Sequence, residues 1–189
     1  MKTITHFLTL AAGAVLFASC GEQLTTSVPM SAATPSRGDG SLAGTIHAQV
    51  NAHRSAVGSA PVPRHAGLDR LARQHSEFMR QNRGKFKLGG SSNLSHFGFE
   101  ERVLSAQRLM GMSSVAENIA TCSGGFSNPS ATLINAWKNS PGHAKNMKGG
   151  WDVTGVGVVV DSDGTVFATQ IFASKDHSHM STVDRMKQF

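Results

Sequence analysis

The sequence predicts an α+β layered domain, and three observations carry that expectation. Apolar residues recur at helical spacing in four stretches between residues 42 and 137. β-Branched and aromatic residues crowd two late runs, 153–160 and 165–172. The Asp161-Ser162-Asp163-Gly164 segment between those runs is a turn that folds them into a hairpin. Helices first and a hairpin last make an α+β arrangement, with helices layered on a small sheet. The chain of 189 residues is long enough for one domain with appendages.

At the amino end, Lys2 precedes an apolar stretch from Phe7 to Ala18, broken only by Thr9 and Gly13. It is too short to span a bilayer as a helix and matches the hydrophobic region of a secretory signal. The following Leu16-Phe17-Ala18-Ser19-Cys20 resembles the lipobox of bacterial lipoproteins. That resemblance implies a signal peptide over 1–19 and lipidation of Cys20. With Gly21 next, it also implies an outer-membrane or cell-surface location. Ordinary signal cleavage, giving a secreted or periplasmic protein with Cys20 free or paired to Cys122, is the alternative. From Gly21 to Gly40, eleven of twenty residues are Gly, Pro, Ser or Thr. Residues 20–40 therefore read as a flexible tether, with a reach on the order of 25 Å.

The domain itself is expected over 41–174, with a polar tail over 175–189. Leu42, Ile46, Val50, His53 and Val57 share one helical face, and Gly58 can end that helix. Leu68, Leu71, Ala72, His75, Phe78 and Met79 form a second stripe, with Arg70, Arg73, Glu77 and Arg80 turned the other way. Residues 84–95 read as loop from their Gly and Ser content. A third helix is expected from Phe99 to Met110, with Val103, Ala106, Leu109 and Met110 inward. Ser127-Asn128-Pro129 places a capping residue and a proline at the entrance to a fourth, running to Trp137. A strand near Val115–Thr121 completes the sheet. His53, His75, Trp137 and Phe172 read as core, and Asn51 and Arg54 as links from the first helix to nearby loops.

Several motifs fail on context. Gly155-Val-Gly157 lies inside a strand and opens no helix, so it is no dinucleotide fingerprint. Asp161-x-Asp163-Gly164 lacks the remaining ligands of a calcium loop. No HExxH, GxSxG or P-loop occurs, and His177 and His179 fall in the polar tail. Two cysteines 102 positions apart exclude a disulfide-dense miniprotein, and no run approaches 18 apolar residues, which excludes a multi-span membrane protein. If Cys20 is lipidated, Cys122 reads as a buried free thiol.

The formal net charge of +6 has a location. Residues 54–87 hold eight basic side chains against Asp69 and Glu77, while the rest of the chain balances to zero. Arg70, Arg73, Arg80, Arg83, Lys85 and Lys87 are thus a candidate docking face for anionic envelope polymers or headgroups. Nucleic acid is not an expected partner of an exported, tethered domain with no nucleic-acid motif. A monomer is expected.

Four segments together resemble the CAP superfamily of cysteine-rich secretory proteins, antigen 5 and pathogenesis-related proteins. They are Val50-Asn51-Ala52-His53-Arg54 with Leu68, Leu71-Ala72, His75 and Met79; Ser95-His96; Glu117-Asn118-Ile119-Ala120; and Trp137-Lys-Asn-Ser140-Pro141-Gly142-His143-Ala-Lys-Asn146. Gly155-Val-Gly157 and Phe167-Ala-Thr-Gln170-Ile-Phe172 also fit. The resemblance covers roughly residues 44–173 and is to the short bacterial branch, which lacks disulfides. It implies a three-layer α-β-α sandwich with a small antiparallel sheet, and a cleft where His96, Glu117 and His143 converge.

Two imidazoles and a carboxylate are a sufficient set for Zn²⁺ with one open position, and equally for a metal-free polar cluster. Ser140 stands where many eukaryotic members carry a second glutamate, and it is a poor metal ligand. Ser140-Pro141-Gly142-His143 also reads simply as a helix-ending turn. Two functional readings follow. One is an envelope binding module whose cleft takes a lipid or other small ligand. The other is a metal-dependent or serine hydrolase, with Ser140 near an imidazole. The binding module is favoured, because neither a nucleophile within reach of its base nor an oxyanion hole is evident.

Overall fold

A computed structural model of the chain describes residues 40–86, 88, 91 and 93–176. The expected signal sequence, Cys20, the expected tether up to residue 39, Lys87, His177 and His179 lie outside these residues. The described elements are α1 (Gly40–Ala56), α2 (Ala66–Gln81), α3 (Phe99–Met110), β1 (Met112–Cys122), α4 (Pro129–Asn139), α5 (Pro141–Lys148), β2 (Val153–Val160) and β3 (Val166–Lys175). The strands form one antiparallel sheet in the order β1-β3-β2.

Strand alternation sorts the side chains into two layers. On one face, Ile171 and Ala173 of β3 meet Leu68 and Ala72 of α2 and Ala106 of α3, while Phe167 and Ile119 meet Met79. On the other, Ala168 and Phe172 pack with Ile46 and Val50 of α1, Leu133 and Trp137 of α4 and Met147 of α5. The sheet is thus the middle of an α-β-α sandwich, as expected. Asn128 accepts a hydrogen bond from the Ala131 N–H at 3.1 Å and Pro129 opens α4, which is the capping that Ser127-Asn128-Pro129 predicts.

The Gly155-Val-Gly157 pair owes its residue type to packing. A Cβ on Gly155 would run into the backbone of Leu68 and Asp69, and one on Gly157 into that of Ala72 and Arg73. Helix α2 therefore lies directly on β2 with no side chain between them. Ser76 uses that closeness and donates its hydroxyl to the Gly157 carbonyl at 3.0 Å.

Three expectations need correction. The Ser140–His143 turn is a junction, where α4 ends at Asn139 and a fifth helix begins at Pro141. Leu109 is 80% exposed; the inward positions of α3 are Ala106, with Arg102, Val103 and Met110 half-buried. Val57 lies just past α1 and is exposed, and His53 is half-buried, because the buried face of α1 is Ala43, Ile46, Val50 and Arg54. The Arg54 guanidinium is aimed at carbonyls, at 2.6 Å from Met147 O, 2.9 Å from Gly149 O and 2.8 Å from Ala60 O. A cation on the carboxyl end of α5 satisfies its last carbonyls and ties α1 to it.

Gly157→Ala should destabilise the fold by roughly 3 kcal/mol, since the backbone of α2 must move to admit a methyl group. Urea unfolding measures this. A loss below about 0.5 kcal/mol, the scale of ordinary surface substitutions, would mean that the helix does not rest on the strand.

Candidate functional site

β1 is an edge strand, so no further strand separates the two helical layers beside it. Glu117 points from β1 into the α2–α3 layer, and Asn118 into the layer of α5. The candidate site straddles this edge.

Glu117 is 5% exposed. Arg102 of α3 donates to it in a fork, Nε to Oε2 at 2.7 Å and Nη2 to Oε1 at 2.7 Å. His96, in the loop before α3, donates its Nδ1–H to Oε1 at 2.8 Å. Burial pushes the Glu117 carboxyl up, but the hydrogen bonds from His96 and Arg102 outweigh it and hold the group below its ordinary value. A bidentate guanidinium is the geometry that best compensates a buried carboxylate. Arg102 also donates Nη1 to the Phe97 carbonyl at 3.0 Å, which binds the loop to the helix that follows it.

His75 supports the same loop from below. It is buried, and its Nε2–H donates to the Ser95 carbonyl at 2.7 Å. Burial pushes its pKa down to about 4, against the opposing pull of Glu117, so the ring is neutral at pH 7. The 3.8 Å approach of its Nε2 to Glu117 is therefore no ion pair. Its buried Nδ1 has no hydrogen-bond partner among the described residues. The core reading of His75 holds, with the added role of an anchor for Ser95-His96.

On the other side of β1, Asn118 donates to the His143 carbonyl at 3.2 Å. Asn146 donates to the Glu117 carbonyl at 3.2 Å and to Asn118 Oδ1 at 2.9 Å, and its own carbonyl accepts from Trp151 at 2.7 Å. These bonds seat α5 against the edge and bring the His143 ring to 6.5 Å from that of His96, centroid to centroid. Burial and the neighbouring His96 lower the His143 pKa. Ser140 sits at the α4–α5 junction, and its hydroxyl caps no helix. A depression of about 340 Å³ lined by His96, Gly98, Phe99, Glu100 and Glu101 opens on the His96 side of the pair.

The residues expected from sequence thus meet at one place, but in unequal roles. With Nδ1–H fixed on Glu117, the rest of the His96 ring stays partly exposed and its Nε2 makes no hydrogen bond among the described residues. The donor set does not suit Zn²⁺. Both Glu117 oxygens are engaged, and the permanent cation of Arg102 lies against them. Among the described residues no group of three or more His, Cys, Asp or Glu side chains is gathered as a metal site. Sequence reasoning missed Arg102, although Phe99, Arg102, Val103, Ala106 and Met110 share one helical face, and a cation on an apolar stripe signals a buried partner.

A family model described as CAP, cysteine-rich secretory protein family, matches residues 47–172. The fold is similar to three bacterial structures. An outer surface protein of Borrelia burgdorferi has a TM-score of 0.56 and 16% identity, over 72% of this chain and 94% of that one. An extracellular protein of Bacillus anthracis containing an SCP domain has a TM-score of 0.52 and 23% identity, over 71% of this chain and 41% of that one. A cysteine-rich secretory protein of Staphylococcus aureus has a TM-score of 0.50 and 19% identity, over 71% and 38%. The matched region therefore spans about two fifths of the latter two chains. No curated protein matches the sequence.

Arg102→Ala leaves Glu117 buried without its main counter-charge and should cost about 3–5 kcal/mol. In Arg102→Ala/Glu117→Gln much of that loss should return, and equal unfolding energies for the single and double variants would refute the pairing. Acid exposes the buried imidazole. The folded-state pKa of His75 lies below the unfolded value, so stability is full at neutral pH and falls between pH 6.5 and about 4. The loss attributable to His75 is about 3 kcal/mol over that window. His75→Asn, which can still donate to Ser95, should flatten the dependence; urea unfolding at pH 7 and pH 4.5 decides it.

Proposed function

The chain belongs to the CAP, or cysteine-rich secretory protein, family, and from that premise we propose that it is an exported, lipid-anchored binding module of the cell envelope, with the cleft between His96 and His143 taking a lipid or other small ligand. One observation carries the reading. Glu117, the carboxylate of the cluster, is engaged within the scaffold by Arg102 and His96. What is left toward solvent is the partly exposed His96 ring with the 340 Å³ depression it lines, and the His143 ring 6.5 Å from it. The export signal and the Leu16–Cys20 motif support attachment through Cys20. The similarity to outer-surface and extracellular bacterial proteins supports an exterior location.

A second reading, hydrolysis of envelope material, draws on one geometric feature. A carboxylate oriented on Nδ1–H, with Nε2 making no hydrogen bond among the described residues, is the arrangement of a general base. Against it, Arg102 competes for the negative charge that would stabilise a protonated His96. The Ser140 hydroxyl also makes no hydrogen bond to either imidazole among the described residues, so no activated nucleophile accompanies the base.

The double variant His96→Ala/His143→Ala separates the two. A dansylated fatty acid should bind the parent and lose at least about tenfold in affinity on the variant, roughly 1.4 kcal/mol, while neither protein hydrolyses acetyl ester substrates. Turnover by the parent that the variant lacks would assign the site to catalysis instead. Mass spectrometry of the mature chain should show acyl mass on an amino-terminal Cys20; a chain starting elsewhere without it removes the anchor.

A further inference from the structure

The basic segment 54–87 separates, once folded, into tied and free cations. Arg54 is buried on helix carbonyls. Arg64 pairs with Asp69 at 3.0 Å. Arg80 pairs with Glu77 and lies 3.5 Å from Asp161. Arg83 reaches Asp161 at 2.7 Å and Asp163 at 3.0 Å, pinning the end of α2 to the β2–β3 turn. Arg80 and Arg83 therefore brace the fold. Arg70 and Arg73 are exposed and make no ion pair among the described residues. They line an open groove along the outer face of α2 that continues past Glu77, itself held by Arg80, to Phe78 and Gln81.

At that end lies an aromatic cluster. The Phe78 ring stacks on Phe97 at 5.4 Å and meets Phe86 at 5.7 Å, and Phe86 and Phe97 are 5.6 Å apart. Despite these contacts Phe97 is 62% exposed. The stack holds the ring in place without covering it, so a large apolar surface stays in water, joined through Phe78 to the groove that Arg70 and Arg73 line.

We propose that this face docks on a lipid bilayer containing anionic phospholipid, with Arg70 and Arg73 at the headgroups and Phe97 entering the acyl boundary. Charge complementarity selects the sign of the partner, and Phe97 selects its kind. A soluble polyanion would satisfy the two arginines but leave the ring in water, whereas a membrane interface takes both. Phe97 directly follows His96 in the chain, but the inference rests on the exposed ring and the two arginines and does not depend on what the site binds.

The test uses full-length protein carrying Phe97→Trp, an exposed position that tolerates substitution, reconstituted in vesicles with lipids brominated along the acyl chains. The indole at 97 should be quenched when phosphatidylglycerol is present and not in phosphatidylcholine alone. The parent supplies the background of its two tryptophans, Trp137, which is fully buried, and Trp151, which is half-buried. Adding Arg70→Gln/Arg73→Gln should weaken docking about 25-fold, roughly fivefold for each cation at an anionic surface, and restore the emission. Emission indifferent to bromine overturns the proposal. So does quenching that ignores both phosphatidylglycerol and the arginine substitutions, or a parent that binds soluble polyphosphate while its vesicle-bound Phe97→Trp form stays unquenched.

Discussion

The buried carboxylate of Glu117 is the constraint on which the site region depends. A negative charge placed inside a layered domain at an edge strand must find compensation close by, because leaving it unpaired would cost more than most single side chains can return. Arg102 and His96 provide that compensation, and their own positions follow from it. The fork from Arg102 requires α3 to run past β1 in one rotational setting. The bond from His96 requires the 93–98 loop to fold back over the strand. His75 secures the loop from the core, so three separate segments converge on one side chain.

The other layer is joined to the same strand by neutral groups. Asn118 and Asn146 link β1 to α5 through side-chain amides and backbone carbonyls. The division has a chemical consequence. His96 is oriented by a carboxylate, whereas His143 is placed through its backbone and has its pKa lowered by burial and by His96. Two histidines that look equivalent in sequence are therefore held in different ways.

The elements most legible in the sequence are those whose signal is local. The α2 stripe, the Asn128-Pro129 start of α4 and the β2–β3 hairpin follow from periodicity, capping and turn chemistry, each confined to a few neighbours. The misread elements depend on distant partners. Leu109 carries the right spacing for an inward face, yet only the direction in which α3 crosses β1 decides that Arg102 turns in and Leu109 out. α5 is short, with Pro and Gly in its first turn, and it stands on Arg54, Asn118 and Asn146 rather than on propensity. Gly155 and Gly157 could be excluded from one role by context, but their actual role needs the position of α2.

The sequence by itself determined the α+β class, the order of the main elements, the family resemblance and the candidate residues His96, Glu117 and His143. Those rest on local chemistry and on motifs read in order along the chain. Only the tertiary structure decided that Arg102 holds Glu117, that His96 and His143 reach each other across the β1 edge, and that Arg70 and Arg73 stay free while Arg80 and Arg83 do not. The physical reason is the same in each case. A charge acquires its role from the charges and carbonyls within a few ångströms of it, and residues 15 or 80 positions apart are brought that close only by packing.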